Sequence, residues 1–429
     1  MKRIQLEIKV LSPLAIGRKK PGGSVSEAAD YIPGSVIRGA MAAVMLQQSG
    51  RQNADLSEVG GDFQALFLSE NAAIFHNGYP ASAKVKNEGD GELPIVADEV
   101  QVLPATAVSS KTKPGFKRER NGKCEGNGVF DTLIDRFCAE GYDSLYDPSC
   151  PTEKGERVEP YSGFYSHSQY GYLKHSVTKR LLTRVGINRC RATSESEILY
   201  SLEVLNESFP VESKHKSKDW LPVIYRSSIL VNDDNLAQLM TDFINAHTFR
   251  FGGAASRGLG KVKIEANRVE PNTDVASRIK KFNAALQQRW REWGNLFGNR
   301  PLENRVYFTL DLQSDAILTE NWQRTMVISS DMLRQFSQLT DYPVELHVAY
   351  SSYDYISGWN SAWGLMKDVE LITNKGAVYL FSTIKDKEKD WIEALERLEL
   401  KGVGDRTYEG FGQVQVCNKF HLVFREDAK

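Results

Sequence analysis

The chain opens on strict alternation, Ile4-Gln5-Leu6-Glu7-Ile8-Lys9-Val10, with apolar residues at every second position, the period of a strand with one buried face. A Pro/Gly-rich stretch follows from Ser12 to Ser24, and Ser35 to Gln47 then takes helical spacing. Val36, Ala40, Ala43 and Val44 form its apolar stripe, and Ser35 reads as the N-cap, its hydroxyl accepting from free amides of the first turn. From about Asn87 to Gly163 the texture shifts to Gly, Pro and charged residues with one helical segment, Val129 to Phe137. With so few periodic segments this region reads as an insertion on a parent domain, without a core of its own. Regular patterning returns at Lys174.

Two later segments share one plan. After an Asn232/Asp233 cap, Leu236, Leu239, Met240, Phe243 and Ile244 mark a helix to Ala246, and strand-like residues from Phe249 lead through a glycine-rich loop, Gly252 to Gly260, into an alternating strand ending at Ile264. Lys389 to Leu400 presents Trp391, Leu395 and Leu398 on one face and is followed by a second glycine-rich loop and strand, Gly402 to Val416. Arg257-Gly258-Leu259-Gly260-Lys261-Val262 aligns with Glu409-Gly410-Phe411-Gly412-Gln413-Val414 at a constant offset of 152, an internal repeat that implies two related domains. Between them Val275, Ile279, Phe282, Leu286, Trp290 and Trp293 make a long amphipathic helix, and Val306 to Leu312 restarts with a strand. The expected fold class is α+β: two tandem ferredoxin-like (RRM-like) domains, 1–268 with its insertion at about 87–163, and 301–429, joined by a helix within 269–300. RNA-recognition folds of this class present an open sheet face and adjoining loops to single-stranded RNA.

Charge refines that expectation. The 429 residues carry 54 Lys and Arg against 55 Asp and Glu, a formal net charge of −1, which argues against coating nucleic acid through bulk positive charge. The distribution is uneven. Lys174 to Arg191 holds Lys174, Lys179, Arg180, Arg184, Arg189 and Arg191 without an acid, and Lys111 to Lys123 holds Lys111, Lys113, Lys117, Arg118, Arg120 and Lys123 against Glu119. Arg250, Arg257, Lys261 and Lys263 surround the first glycine loop. Basic strips on an otherwise neutral chain fit a protein that binds RNA at defined places and protein neighbours elsewhere. Tyr170, Tyr172 and Phe116 lie beside the strips, and aromatic with basic groups is what stacking on unpaired bases requires. No apolar run approaches ~18 residues, so the expectation is a soluble cytoplasmic protein without membrane contact.

Gly252 to Gly260 resembles a phosphate cradle but precedes a strand, whereas a dinucleotide fingerprint follows one and opens a helix, so no cofactor is expected. Its glycines and flanking cations instead allow close approach of an RNA backbone. The Gly34-Ser35 helix start, with Arg38 and Gly39 behind it, is a second place where free amides can meet phosphate. Signals for catalysis are weak: His175 and Lys179, near His167, Tyr170 and Tyr172, are the candidates for acid–base work on a ribose hydroxyl. Of the five cysteines, Cys124, Cys138 and Cys150 are spaced 14 and 12 residues apart, without the close pairs zinc favours, so no metal is expected.

Tyr31-Ile32-Pro33-Gly34-Ser35-Val36-Ile37-Arg38-Gly39, taken with the two glycine-rich loops, resembles the RAMP (repeat-associated mysterious protein) superfamily of CRISPR-associated proteins. Pro104 to Ala107 with Lys113 to Phe116, the strand pair Arg184–Arg189 and Ile198–Ser201, and Gly402 to Val414 are similar to the large two-domain RAMP subunit of type III-D effector complexes. The resemblance implies a non-catalytic subunit that holds the 5′ handle of the CRISPR RNA (crRNA), contacts other RAMP backbone subunits, docks a large polymerase-like subunit and meets target RNA indirectly. It assigns RNA contact to Ser35, Arg38 and Gly39, to Gly252, Gly253, Ser256, Arg257, Gly258 and Lys261 of the first loop, and to Arg406, Tyr408, Gly410 and Phe411 of the second. The basic run adds Lys179, Arg180 and Arg184. Relatives that cut target RNA use an Asp on a loop upstream of this motif. Here Gly17 to Ser24 has no acid and Asp30 directly precedes Tyr31, so target cleavage is not expected. An endoribonuclease maturing precursor crRNA through His175 is the alternative, and a scaffold touching only protein is a third.

Overall fold

The computed structural model describes residues 1–429 apart from 19–26, 51–60, 88–90, 118, 121–122, 125, 154, 189, 214–216, 272–273 and 361–363. Arg118, Arg189 and most of the Gly17–Ser24 stretch lie outside the described residues, as do the side chains of Arg120, Lys123 and Cys124.

The opening alternation is realised in β1 (Lys2–Val10), where Ile4, Leu6, Ile8 and Val10 are buried. It is followed by α1 (Gly34–Gln48), β2 (Ile74–Phe75) and β3 (Tyr79–Pro80). The chain then leaves this sheet and returns in β4 (Ile224–Val231), α2 (Asp234–Ala246) and β5 (Lys261–Val269). β5, β1, β4 and β2 lie side by side, all antiparallel, with β3 on the far stretch of β4 and a short strand, Phe249–Arg250, outside β5. The Asp233 carboxylate accepts from the amides of Asn235 and Leu236 at 2.8 and 2.9 Å, the expected cap for α2.

The second half repeats this order. After α3 (Val275–Phe297) come β6 (Arg305–Leu312), α4 (Ser330–Ser337), β7 (Glu345–Tyr350), β8 (Val378–Ile384), α5 (Glu388–Lys401) and β9 (Val414–Val416). Its sheet runs β7-β8-β6-β9, antiparallel throughout. Each sheet therefore places the later strands of its unit in one sequence: second, third, first, last. Trp391, Leu395 and Leu398 of α5 are buried as the spacing predicts, and α3 buries Val275, Ile279, Phe282, Leu286 and Trp290 in the core of this second sheet.

Three local expectations change. Helix α1 begins at Gly34 with Pro33 as its N-cap and no side-chain cap bond, so Ser35 does not cap it. Its buried face is Gly34, Ile37 and Met41, and Ala43 is exposed, because β2 presses on the helix start. Val129–Asp131 is a strand, and the helix begins at Leu133 and runs to Gly141, since the Asp131 side chain takes the Leu133 amide at 2.8 Å. The region between β3 and β4 also has more core than its texture announces. Leu133, Ile134 and Cys138 join the second core beside α3, while Leu103, Val108, Phe116, Phe130 and Tyr165 pack with Phe420 and Val423 of the C-terminal tail.

His421 anchors that tail. Its ring is fully buried, with Nε2 2.8 Å from Asp311 Oδ1 on β6 and Nδ1 3.2 Å from Asp131 Oδ2 of the inserted region. Thr106 and Thr309 donate to the same two carboxyl groups at 2.6 and 2.7 Å. No helix is long and apolar enough to cross a membrane among the described residues.

Candidate nucleic-acid interface

The two glycine-rich loops have one backbone. In the first, Ala254 has φ 57°, Ala255–Arg257 makes a single 3-10 turn, and Gly258 has φ 86°; in the second, Arg406 has φ 57°, Thr407–Glu409 makes the turn, and Gly410 has φ 95°. Their hydrogen bonds correspond too. Phe251 donates to Gly260 as Val403 does to Gly412, both at 2.8 Å, and Gly253 donates to Ala15 at 2.8 Å as Asp405 does to Ile317 at 2.9 Å. The repeat read at an offset of 152 is therefore a repeat of conformation. Positive φ at matching places explains why glycine recurs there.

What the loops face differs. The second is packed onto the start of α1. The Gly34 amide donates to Asn77 Oδ1 at 2.8 Å, and Asn77 Nδ2 donates to the Gly410 carbonyl at 3.2 Å, so one side chain ties the first half of the chain to the second. Gly410 is buried, and a Cβ there would sit 2.6 Å from Asn77 Oδ1 and 2.9 Å from the Phe75 carbonyl. It closes the seam and is not open to a ligand, contrary to expectation. Arg38 lies over the rings of Tyr408 and Phe67, with 5.1 and 5.9 Å to the centroids, and donates to the Phe67 carbonyl. Burial lowers its pKa. Arg406 lies over Phe411 at 5.2 Å and pairs with Glu409. Burial raises the Glu409 carboxyl, but Arg406, with Lys367 at 3.1 Å, brings it net below its usual range. Ser35, Arg38, Gly39, Arg406, Tyr408 and Phe411 thus come together along one seam, with Tyr408 and Gly39 exposed at its rim.

Gly39 is a helix-interior glycine around which an added Cβ would meet nothing within 4 Å. No packing requires it. Gly39→Ala should therefore raise stability by about 0.5–1 kcal/mol, the propensity difference, as read by thermal melting. It should also weaken any ligand that needs close approach to this backbone. A destabilised variant would show that the glycine serves the fold.

The first loop is open. Gly252, Gly253, Ser256, Arg257 and Gly258 are exposed, as is Lys261. Arg257 donates to the Tyr200 hydroxyl at 2.6 Å, on the hairpin formed by Lys179–Asn188 and Thr193–Leu205, where Arg184 stands opposite Tyr200. Arg184, Arg257 and Lys261 have no carboxylate partner among the described residues. At the base of the hairpin the charges are spent internally. Lys179 reaches Asp30 at 2.7 Å and the Ala28 carbonyl at 2.6 Å, and Arg180 pairs with Glu207 at 3.0 Å.

The candidate acid–base group does not assemble. His175 is buried, with Nε2 2.8 Å from Ser166 Oγ and Nδ1 3.3 Å from the Ser82 carbonyl, while Lys179 is held by Asp30. Phe116 and Tyr172 stack on each other at 5.6 Å within a core cluster, leaving Tyr170 as the exposed ring of that set. Cys138 is buried against α3 and pushed up to about 12 by burial, and Cys150 lies 3.3 Å from Thr152 Oγ1. No cluster of three or more metal-ligating side chains occurs among the described residues. Sequence reasoning missed Asn77, which sits in a short turn without periodic signal.

The sequence model of the RAMP superfamily matches residues 7–263. No curated protein matches the chain. Among solved structures, a chain of the type III-B Cmr-beta complex bound to cognate target RNA and AMPPnP is 13% identical, with 91% of this chain and 93% of that chain covered and a TM-score of 0.37. A chain of the complex bound to cognate target RNA alone is 14% identical, covering 92% and 94%, at 0.35. Cmr4 from Pyrococcus furiosus is 12% identical, covering 62% of this chain and 99% of that one, at 0.25.

Proposed function

The chain belongs to the RAMP superfamily, and on that premise we propose that it is an RNA-binding structural subunit of a type III CRISPR ribonucleoprotein. In that role it holds the 5′ handle of the crRNA, sits among other RAMP backbone subunits, docks the large polymerase-like subunit and meets target RNA through the assembled particle. The III-D subtype is part of this proposal. Each half is read as a ferredoxin-like unit, a reading that the shared strand order of the two sheets supports. The insertion in the first unit is then wider than 87–163, spanning 81–223, the whole path between β3 and β4.

The observation that carries the proposal is the pairing of two identical loop backbones, one sealed against α1 and one exposed with Arg184, Arg257 and Lys261 unneutralised around it. Exposed glycines beside free cations suit a phosphate backbone, because the chain can come close and the charge is not already satisfied. A maturation endoribonuclease is the weaker reading, since His175 and Lys179 are both engaged within the fold.

The test is direct. Arg257→Ala with Lys261→Ala should weaken association with single-stranded crRNA and reduce the slope of log K against log salt by about 1 for each phosphate left without its cation. Fluorescence anisotropy across a salt series measures both. An unchanged affinity with no salt slope in either protein sinks the proposal.

A further inference from the structure

A short hairpin, Leu318–Glu320 with Gln323–Thr325, places two residues, Asn321 and Trp322, between the paired Glu320 and Gln323. Both have positive φ, 49° and 66°. That is the pattern of a type I′ turn, where glycine is the usual second residue. A bulky side chain at this φ is sterically disfavoured, and such outliers persist where they serve a purpose beyond folding. The Trp322 side chain is 100% exposed, so its ring gains nothing from the rest of the chain.

The hairpin stands on the second glycine loop. Arg324 and Thr319 both bind Asp405, at 2.7 and 3.1 Å, and Arg324 also reaches Glu370 at 2.7 Å. The Asp405 amide donates to the Ile317 carbonyl at 2.9 Å. Asp405 directly precedes Arg406. The hairpin is thereby tied to the loop that carries Arg406 and Tyr408, with Trp322 at its tip.

We propose that Trp322 is a stacking platform for an unpaired nucleobase of the RNA that this chain binds, an inference that rests on the RNA-binding reading above. Trp322 is the one exposed large apolar side chain between Leu318 and Thr325; Met326, just beyond, is 38% exposed, and Val369, next to the Glu370 that Arg324 reaches, is 50% exposed. An anchor for a protein partner is characteristically set in packed surroundings that exclude water. A ring fully exposed, with its faces clear of the rest of the chain, suits a base, whose flat π face is a complete partner and whose edges stay hydrated.

Trp322→Gly, Trp322→Phe and the unsubstituted chain are compared by anisotropy with a fluorescein-labelled single-stranded RNA of crRNA sequence. Trp322→Gly should bind about 10- to 100-fold more weakly and Trp322→Phe within about threefold, the range of one base stack. Trp322→Gly should also melt no lower than the unsubstituted chain, because glycine relieves the turn. Photocrosslinking with bromouridine-substituted RNA should mark Trp322. Salt-dependent binding that Trp322→Gly leaves unaltered overturns the stacking role while the RNA-binding reading stands. Absence of RNA binding by the unsubstituted chain overturns both. Unaltered RNA affinity with loss of copurifying protein subunits assigns the ring to a protein neighbour and overturns the inference.

Discussion

Replacing His421 by glutamine should lower stability by several kcal/mol at neutral pH, and the difference from the unsubstituted chain should shrink as pH rises. Burial disfavours the imidazolium, but the carboxyl groups of Asp311 and Asp131 outweigh it and raise the ring to about 10. A group raised on folding contributes its full stabilisation below its unfolded value, near 6.5, and loses it progressively as pH climbs toward the folded value. Between about pH 6.5 and 9 this amounts to about 3 kcal/mol at 1.36 kcal/mol per unit. Above that range Cys417, pushed up to about 12 by burial, adds its own loss as the unfolded thiol ionises. Removing the ring at neutral pH leaves two buried carboxyl groups facing each other without their cation, a change that typically costs about 3–5 kcal/mol. Denaturant titrations at pH 6.5, 7.5 and 9 measure the effect. A glutamine variant that runs parallel to the unsubstituted chain at all three would show that the ring is neutral in the fold.

The second large effect is expected at Gly34. A Cβ on this residue would lie 2.0 Å from the Phe75 carbonyl oxygen and 2.8 Å from that of Glu409. Both obstacles are backbone, one in β2 and one in the second glycine loop, so no side chain can turn aside to admit the methyl. Gly34→Ala should cost about 3 kcal/mol or more, beyond ordinary overpacking. It should also open the seam, which calorimetry would show as a transition broadened or split into two. Gly39→Ala, five residues along the same helix, is the matched control, since it adds the same methyl into open space. Equal effects at the two positions would mean that the seam does not depend on close backbone approach. A seam opened at Gly34 would also separate Arg38 from Tyr408, so the candidate interface and the union of the two halves share this one contact.

Much of this could be read from the chain alone. The alternation of β1, the apolar face of α5, the Asp233 cap and the correspondence of the two loops all appear where the spacing puts them. These features depend on neighbours two to four residues apart, or on φ values that only a few residue types adopt readily, and such constraints leave a trace in local sequence. Arg257 and Lys261 stand exposed beside glycines, a local pattern of the same kind. The internal partners of Lys179, Arg180 and His175 were not legible, because composition counts charges and rings without what they touch. Asp30, Glu207 and Ser166, which engage them, are 149, 27 and 9 residues away.

The tertiary structure alone decided which surfaces are open. Two loops with one backbone meet different fates because only the second lies against α1, through Asn77 and Gly410, 333 residues apart. His421 likewise joins elements that no periodicity links, and the region between β3 and β4 finds its core in a tail from the far end of the chain. The chain by itself determined the elements, their faces and the repeat, since these are set by local backbone preference and hydrophobic period. Which face meets which, and so which cations and rings stay exposed, was decided by close packing between distant segments, where fit of shape and charge is specified jointly by residues that share no local pattern.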